Sequence, residues 1–129
     1  MITEDYASFE TAKLLKEKGF DEICRSYFIE KGGDVRYCGA PLKNNSLQES
    51  QHLRPTQALA MRWLREVHKI GVFPATYTIK TGLEGEYYTY GTAIVNLITH
   101  DLMNLDYLAR DTYEDAVEAA IKYCLENLI

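Results

Sequence analysis

The chain has 129 residues, 47% of them apolar and 26% charged, and carries a formal net charge of −5. This length predicts one domain with its own hydrophobic core, and the composition excludes a disordered, collagen-like or coiled-coil chain. No apolar run approaches the ~18–20 residues of a membrane helix, and the acidic start lacks the apolar region of a signal peptide. Three widely spaced cysteines indicate neither a disulfide framework nor a zinc site, which favours a reducing cytoplasm: Cys24, Cys38 and Cys124.

The first unit, residues 1–39, is predicted to be a helix followed by a β-hairpin. Ser8 is a suitable N-cap, because its hydroxyl can accept an early backbone N–H, and Gly19 is a suitable helix terminator. Gly32 and Gly33 separate two β-prone runs, as expected of a hairpin turn in which both residues take positive φ.

Residues 40–53 are polar and show no sustained period, so we predict a linker there. The second unit, residues 54–98, is predicted to repeat the helix and hairpin. Its helix is expected over 56–69, with Pro55 at its start and Gly71 just past its end. An apolar stripe at helical spacing predicts the buried side of this helix: Leu59, Ala60, Trp63, Leu64, Val67 and Ile70.

Alternating residues predict a strand over 72–80, and Pro74 predicts that it lies at a sheet edge, because proline cannot donate to a ladder. A return strand is expected over 86–95, with a bulge at Gly91. Residues 99–111 are ambiguous between a short helix and a loop.

The last predicted helix covers residues 112–128 and has Thr112 as its N-cap. Cys124 falls on its apolar stripe, where it is expected to be an inert core residue. Its polar residues are expected to form the solvent-exposed side: Glu114, Asp115, Glu118, Lys122 and Glu126.

These elements predict a single α+β domain over residues 1–129, with antiparallel hairpins and helices packed on one face. Segments of the two units also match at an offset of about 50 residues, such as 15–17 with 64–66 and 27–29 with 77–79. An αββ repeat followed by a C-terminal helix is one interpretation. The generic similarity of amphipathic helices and tyrosine-rich hairpins is the other.

No phosphate-binding, metalloprotease or hydrolase motif is present in the sequence. The three histidines are far apart, and we expect surface or helix-capping roles for His52, His68 and His100. We therefore predict no catalytic residue, no metal ligand and no cofactor, and expect a protein that is not an enzyme.

Two groups of side chains are candidates for an interaction surface. Residues 31–80 carry 8 basic and 3 acidic side chains, in contrast to the acidic flanks. The basic side of the second helix is predicted to present Arg54, Arg62, Arg65 and Lys69. Ten tyrosines are many for this length, and those of the second hairpin suit either sheet packing or a recognition surface: Tyr87, Tyr88 and Tyr90.

Three blocks of the chain resemble a group of short uncharacterised prophage and mobile-element proteins of gut anaerobic bacteria. They are the opening SFETAKLLKEKGFDE (8–22), the segment from Pro55 to His68, and the closing DTYEDAVEAAIKYCLENLI (111–129). The resemblance implies a small accessory protein in a bacterial or phage cytoplasmic setting. It supplies no catalytic residues.

The function expected from the sequence is a non-enzymatic protein-interaction module with an unidentified protein partner and no membrane association. The alternative is a nucleic-acid-associated accessory protein that uses the basic side of helix 56–69. Nucleic-acid binding is the less favoured of the two, because the flanking segments are acidic and repel phosphates. The oligomeric state is left open.

Overall fold

In the computed structural model the described residues are 4–81 and 85–129, without the side chains of 77–81, 85–88 and 107–109. The described strands form two three-stranded antiparallel sheets, ordered β2-β1-β3 and β4-β5-β6. The predicted α+β class is confirmed. The elements are α1 (Phe9–Glu17), β1 (Cys24–Ile29), β2 (Asp34–Leu42), β3 (Gln51–Leu53), α2 (Gln57–Val67), β4 (Ile70–Thr81), β5 (Gly85–Asn96), β6 (Leu102–Arg110) and α3 (Tyr113–Asn127).

Each helix begins at a hydroxyl cap. The side-chain oxygens of Ser8, Thr56 and Thr112 each accept a hydrogen bond from the backbone N–H three residues further on. Ser8 and Thr112 are the predicted caps. Such a cap satisfies one of the four unpaired N–H groups at a helix start and contributes about 1 kcal/mol.

The end of α2 differs from the prediction. The helix stops at Val67, and Lys69 takes the left-handed conformation, with φ of 57°. Gly71 lies inside β4 instead of terminating the helix. A Cβ at this position would lie 2.6 Å from the Phe73 ring and 2.9 Å from Leu97, so the glycine lets both side chains pack closely over the backbone.

Residues 40–53 are not the linker expected from the sequence. They contain the end of β2, a short 3₁₀ turn over Asn44–Ser46, and all of β3, which pairs with β1. The buried Asn44 side chain donates to the Phe20 carbonyl at 2.6 Å and accepts from the Leu53 N–H at 3.1 Å. A three-residue strand is too short to show a period, so the polar composition of the segment predicts a linker instead.

Residues 99–111, ambiguous between helix and loop in the sequence, contain strand β6. Its register against β5 shifts twice, which interrupts the alternation that identifies a strand. The bulge predicted at Gly91 lies in the β5–β6 pair, whose register shifts between Tyr90 and Thr92. The register of β4 against β5 is continuous at Gly91. Strand β4 is an edge strand, as Pro74 predicted.

One core joins both halves of the chain. On α2, Ala60, Trp63 and Leu64 are buried, whereas Val67 of the predicted stripe is 54% exposed. The predicted stripe of α3 is buried over Val117, Ala120, Ile121, Cys124 and Leu125. Burial raises the pKa of the Cys124 thiol to about 12, so this thiol stays protonated and behaves as a core residue.

The repeat interpretation is supported in element order but not in strand order. Each half of the chain runs helix and then three strands, so the third strands, β3 and β6, extend the αββ units expected from the sequence. In the first sheet the central strand is β1, which comes first of its three strands along the chain. In the second sheet the central strand is β5, which comes second of its three.

Candidate functional site

The four basic residues predicted to share one helix side do not form one patch. Arg62 pairs with Glu66 through Nε at 3.0 Å, and Lys69 donates to the Glu66 carbonyl at 2.8 Å. Arg65 is exposed on α2. Arg54 precedes the helix and belongs to the first sheet.

Arg54 lies at the end of a row of side chains that crosses the first sheet. Its N–H donates to the Ser26 carbonyl at 2.9 Å and so extends the β1–β3 ladder, while Ser26 pairs with Tyr37 of β2. Directly paired residues of antiparallel strands point to the same face. Tyr37, Ser26 and Arg54 are therefore neighbours on one face, although 28 residues separate the last two in sequence.

The Arg54 guanidinium is surrounded by aromatic rings. Its central carbon lies 3.7 Å from the centroid of the Tyr6 ring and 5.9 Å from those of Phe28 and Tyr37. These distances fit cation–π stacking. Nη1 is buried and makes no hydrogen bond within the described part of the chain. A buried guanidinium N–H without an acceptor is costly, so Nη1 is a donor that the described residues leave unsatisfied.

A pocket of about 280 Å³ opens at this position. Tyr6 is 40% exposed and Tyr37 76% exposed at its edge. We call it the Arg54 pocket. Its lining is Tyr6, Ile23, Cys24, Arg25, Ser26, Tyr37, Arg54, Pro55, Thr56 and Leu59.

Both charged lining residues of the Arg54 pocket are arginines, and no carboxylate is among the residues that line it in the described ranges. The Cys24 thiol is a poor nucleophile there. Burial, with a smaller contribution from the charge of Glu22, raises the pKa of this thiol to about 11. The pocket therefore has the chemistry of an anion-binding site with aromatic walls.

A second surface lies on the other sheet. Cross-strand pairing places one set of small and apolar residues of β4, β5 and β6 on the same face. We call this set the outer face. It comprises Gly71, Phe73, Ala75, Gly91, Ala93, Val95, Leu102 and Leu105.

The helices pack on the opposite side of this sheet. Ile70 and Ile94, which alternate with outer-face residues, are buried in the core with residues of α2 and α3. Among the described residues, the core cluster includes none from the outer face, and Phe73 and Leu102 are 53% and 57% exposed. A sheet face that exposes large apolar side chains such as Phe73 and Leu102 is typical of an interaction surface.

The tyrosines expected at a recognition surface are only partly described. Tyr90 is half-buried and contacts Tyr113 of α3 edge to face, with 6.5 Å between ring centroids. It therefore lies on the helix-covered side of the sheet. The side chains of Tyr87 and Tyr88 lie outside the described residues.

The histidines are separate from one another, and the prediction is wrong for His52. This ring is only 6% exposed; it packs edge to face on Phe9, and Nε2 lies 3.4 Å from a Glu30 carboxylate oxygen. His68 is the C-cap of α2, as expected, and His100 is exposed. Within 4–81 and 85–129, no group of three or more His, Cys, Asp and Glu residues is placed to hold a metal ion.

In comparisons with known proteins, no family model, no curated protein and no solved structure matches the chain. None of the three helices in the described ranges has both the length and the apolar character that a membrane crossing requires.

Proposed function

We propose that this protein is a non-enzymatic interaction module that binds another protein through the outer face. The observation that carries the proposal is the exposure of Phe73 and Leu102 on a sheet face that contributes no described residue to the core. The resemblance to short prophage and mobile-element proteins adds a setting to the proposal. The module would be an accessory protein in a bacterial or phage-infected cytoplasm.

The partner is expected to lie on the face rather than pair with the strand edge. Strand β4 is at the edge of its sheet, and Pro74 lies within it. Proline lacks the N–H that an added strand would need, so it protects this edge from β-pairing. Face packing instead uses apolar side chains such as Phe73, and an aromatic anchor of this kind often dominates the binding energy of an interface.

The proposal is tested by placing a photo-crosslinking phenylalanine analogue at Phe73, at Leu102 or, as a control, at Arg65 of α2. Arg65 is exposed but lies on a helix that covers the opposite side of the sheet. Illumination in cells should give an adduct with one protein from positions 73 and 102 and none from position 65.

The captured protein is then purified and titrated with the wild-type chain and two variants. Phe73→Asp should weaken binding by about tenfold or more in a variant that circular dichroism shows to be folded, whereas Arg65→Asp should have no effect. Adducts of twice the chain's mass would instead assign the outer face to a second copy. Nuclease-sensitive adducts from position 65 would support the nucleic-acid alternative. Equal capture at all three positions would contradict the proposal.

A further inference from the structure

We propose that the Arg54 pocket binds the carboxylate group of a small ligand with an apolar body. The site lies on the first sheet and is separate from the outer face of the second, so it does not depend on the function proposed above. The three observations that support it are the unpaired guanidinium, the sign of the charge in the lining, and the size and walls of the pocket.

The Arg54 guanidinium has no acceptor among the described residues. Arg62 and Arg110 each pair with a carboxylate four residues away, at 3.0 and 3.4 Å. Within the described residues no carboxylate pairs with Arg54, and its buried Nη1 has no hydrogen-bond partner. A ligand carboxylate would supply the missing acceptor, and a guanidinium can bind both of its oxygens through two parallel N–H groups.

Stacking on Tyr6 orients this charge. The guanidinium carbon lies 3.7 Å from the Tyr6 centroid, so the ring contacts this group and restricts its motion. The N–H groups of a guanidinium lie in its plane, so an acceptor binds at its edge. A carboxylate is a planar monoanion, so its two oxygens can accept hydrogen bonds from two parallel N–H groups of the guanidinium. The contact with Tyr6 restricts the arginine side chain and so reduces the entropy lost when the ligand binds.

The charge of the lining selects an anion. Neither Asp5 nor Glu22, which flank lining residues along the chain, lines the pocket.

The position of the pocket follows from the extent of α1. The row formed by Tyr37, Ser26 and Arg54 continues the sheet face that α1 covers further along, where Phe9 packs on Phe28. The pocket therefore opens where this helix no longer covers the sheet.

The volume limits the ligand. The volume of about 280 Å³ is just below that of most ligand sites, which typically span about 300–1,000 Å³, so the ligand must be small. The side chains of Tyr37, Ile23 and Leu59 offer apolar contact to a single ring or branched chain. The fitting ligand is a small organic acid or the terminal residue of a peptide, because both present a carboxylate on an apolar group.

The test is a titration of the isotope-labelled protein, followed by NMR, with matched pairs of probes. N-acetylphenylalanine should bind with a dissociation constant on the order of 0.1–1 mM and shift the signals of Tyr6, Ser26 and Arg54. Its amide, which lacks the carboxylate, should bind at least about tenfold more weakly. A short peptide that ends in phenylalanine, with a free or an amidated end, distinguishes a peptide terminus from a free acid as the source. Phenyl phosphate tests the anion class.

Variants separate the site from general anion attraction. Arg54→Gln should remove binding and Arg54→Lys should weaken it about tenfold, since lysine has no planar fork. The matched control Arg65→Gln, outside the pocket, should bind as the wild type does. If Arg54→Gln fails to fold, Tyr37→Ala removes a largely exposed wall and should still weaken binding. Equal binding of acid and amide, tighter binding of phenyl phosphate, or no binding up to about 10 mM would overturn the proposal.

Discussion

A single carboxylate links three helices. Glu118 was expected on the solvent-exposed side of α3, but its Oε1 accepts from the Thr11 hydroxyl at 2.6 Å and from the Ser8 N–H at 2.9 Å. Its other oxygen lies 3.3 Å from Nε2 of Gln57 at the start of α2. The sequence predicts an exposed Glu118, because nothing in its local pattern indicates that two other helices begin beside it.

Glu118→Ala should lower the free energy of unfolding by about 2–4 kcal/mol. The substitution removes hydrogen bonds to a charged group, which contribute roughly 1.5–3 kcal/mol each at most, and the partial exposure of this site reduces that contribution. The matched control is Glu126→Ala on the exposed side of the same helix, which should change stability by less than about 0.5 kcal/mol. Urea denaturation of both variants measures the difference, and equal effects would contradict a linking role for Glu118.

His52 makes stability depend on pH. Burial is the main cause that lowers the pKa of this imidazole, and the nearby Lys13 and Lys16 charges act in the same direction, against the opposing effect of Glu30. The folded protein therefore binds a proton at His52 less readily than the unfolded chain does. As pH falls below about 6.5, the unfolded chain takes up that proton first, so stability decreases.

The prediction is a fall in the unfolding free energy from pH 7 to about pH 5 that His52→Leu makes less steep. The matched control His100→Asn should keep the wild-type slope. His100 is exposed, and asparagine tolerates its left-handed backbone conformation, with φ of 67°. Glu30, whose pKa is lowered mainly by its hydrogen bond to His52, affects stability in a separate range below about pH 4.5. Thermal melts across this range provide the measurement, and an unchanged slope in the His52 variant would contradict the mechanism.

At the scale of elements, a helix or strand could be predicted from the sequence when the residues that define it lie close together along the chain. The three helices were predicted well, because the residues that form a cap such as Ser8, or an apolar stripe such as that of α3, lie close together in the sequence. Strands β3 and β6 were missed. Strand β3 has three residues and is stabilised by Asn44 and by Lys16, whose Nζ donates to the Gln51 carbonyl at 2.6 Å. Such partners are far apart in the sequence.

The candidate sites show the same dependence. Arg54 was selected from the sequence, but it was grouped with Arg62 and Arg65 because they are close along the chain. Its neighbours are set by the pairing of β3 with β1 and by the Tyr6 ring, and neither is visible in a local pattern. The outer face was hidden because the irregular register of β6 obscures which residues join Phe73.

Asn44→Ala should release the segment 43–52 and lower the unfolding free energy by about 2–3 kcal/mol. The variant leaves the Leu53 N–H and the Phe20 carbonyl without their buried partner. Limited proteolysis should then cut within 43–52 faster than in the wild type. Asn45→Ala, at an exposed neighbouring position, is the control. Unchanged cleavage in the Asn44 variant would show that this side chain does not hold the segment in place.

At the scale of the molecule, charge argues against nucleic acid as the main ligand. The basic middle of the sequence is divided in space. Arg62 pairs with Glu66, and Arg54 stacks within its own pocket. The acidic side chains of α3, such as Glu114 and Asp115, add an opposing field that acts over a Debye length of about 8–10 Å.

We therefore expect no binding to random duplex or single-stranded DNA tighter than about 10 µM at about 150 mM salt. Fluorescence anisotropy with labelled oligonucleotides measures this. Four phosphate contacts would give a logarithmic salt slope of about −3.6. A submicromolar, salt-sensitive constant that Arg62→Glu with Arg65→Glu abolishes, in a folded variant, would support the nucleic-acid alternative instead.

The position of α3 has a consequence for how the molecule folds. This helix contacts α1 of the first half and strands β4 and β5 of the second, and Lys122 reaches Glu10 across 112 residues of sequence. The two halves share their element order, but they also share this helix and a single core. Neither half can therefore bury its apolar surface alone, and the molecule should unfold as one cooperative unit rather than as two repeats in succession.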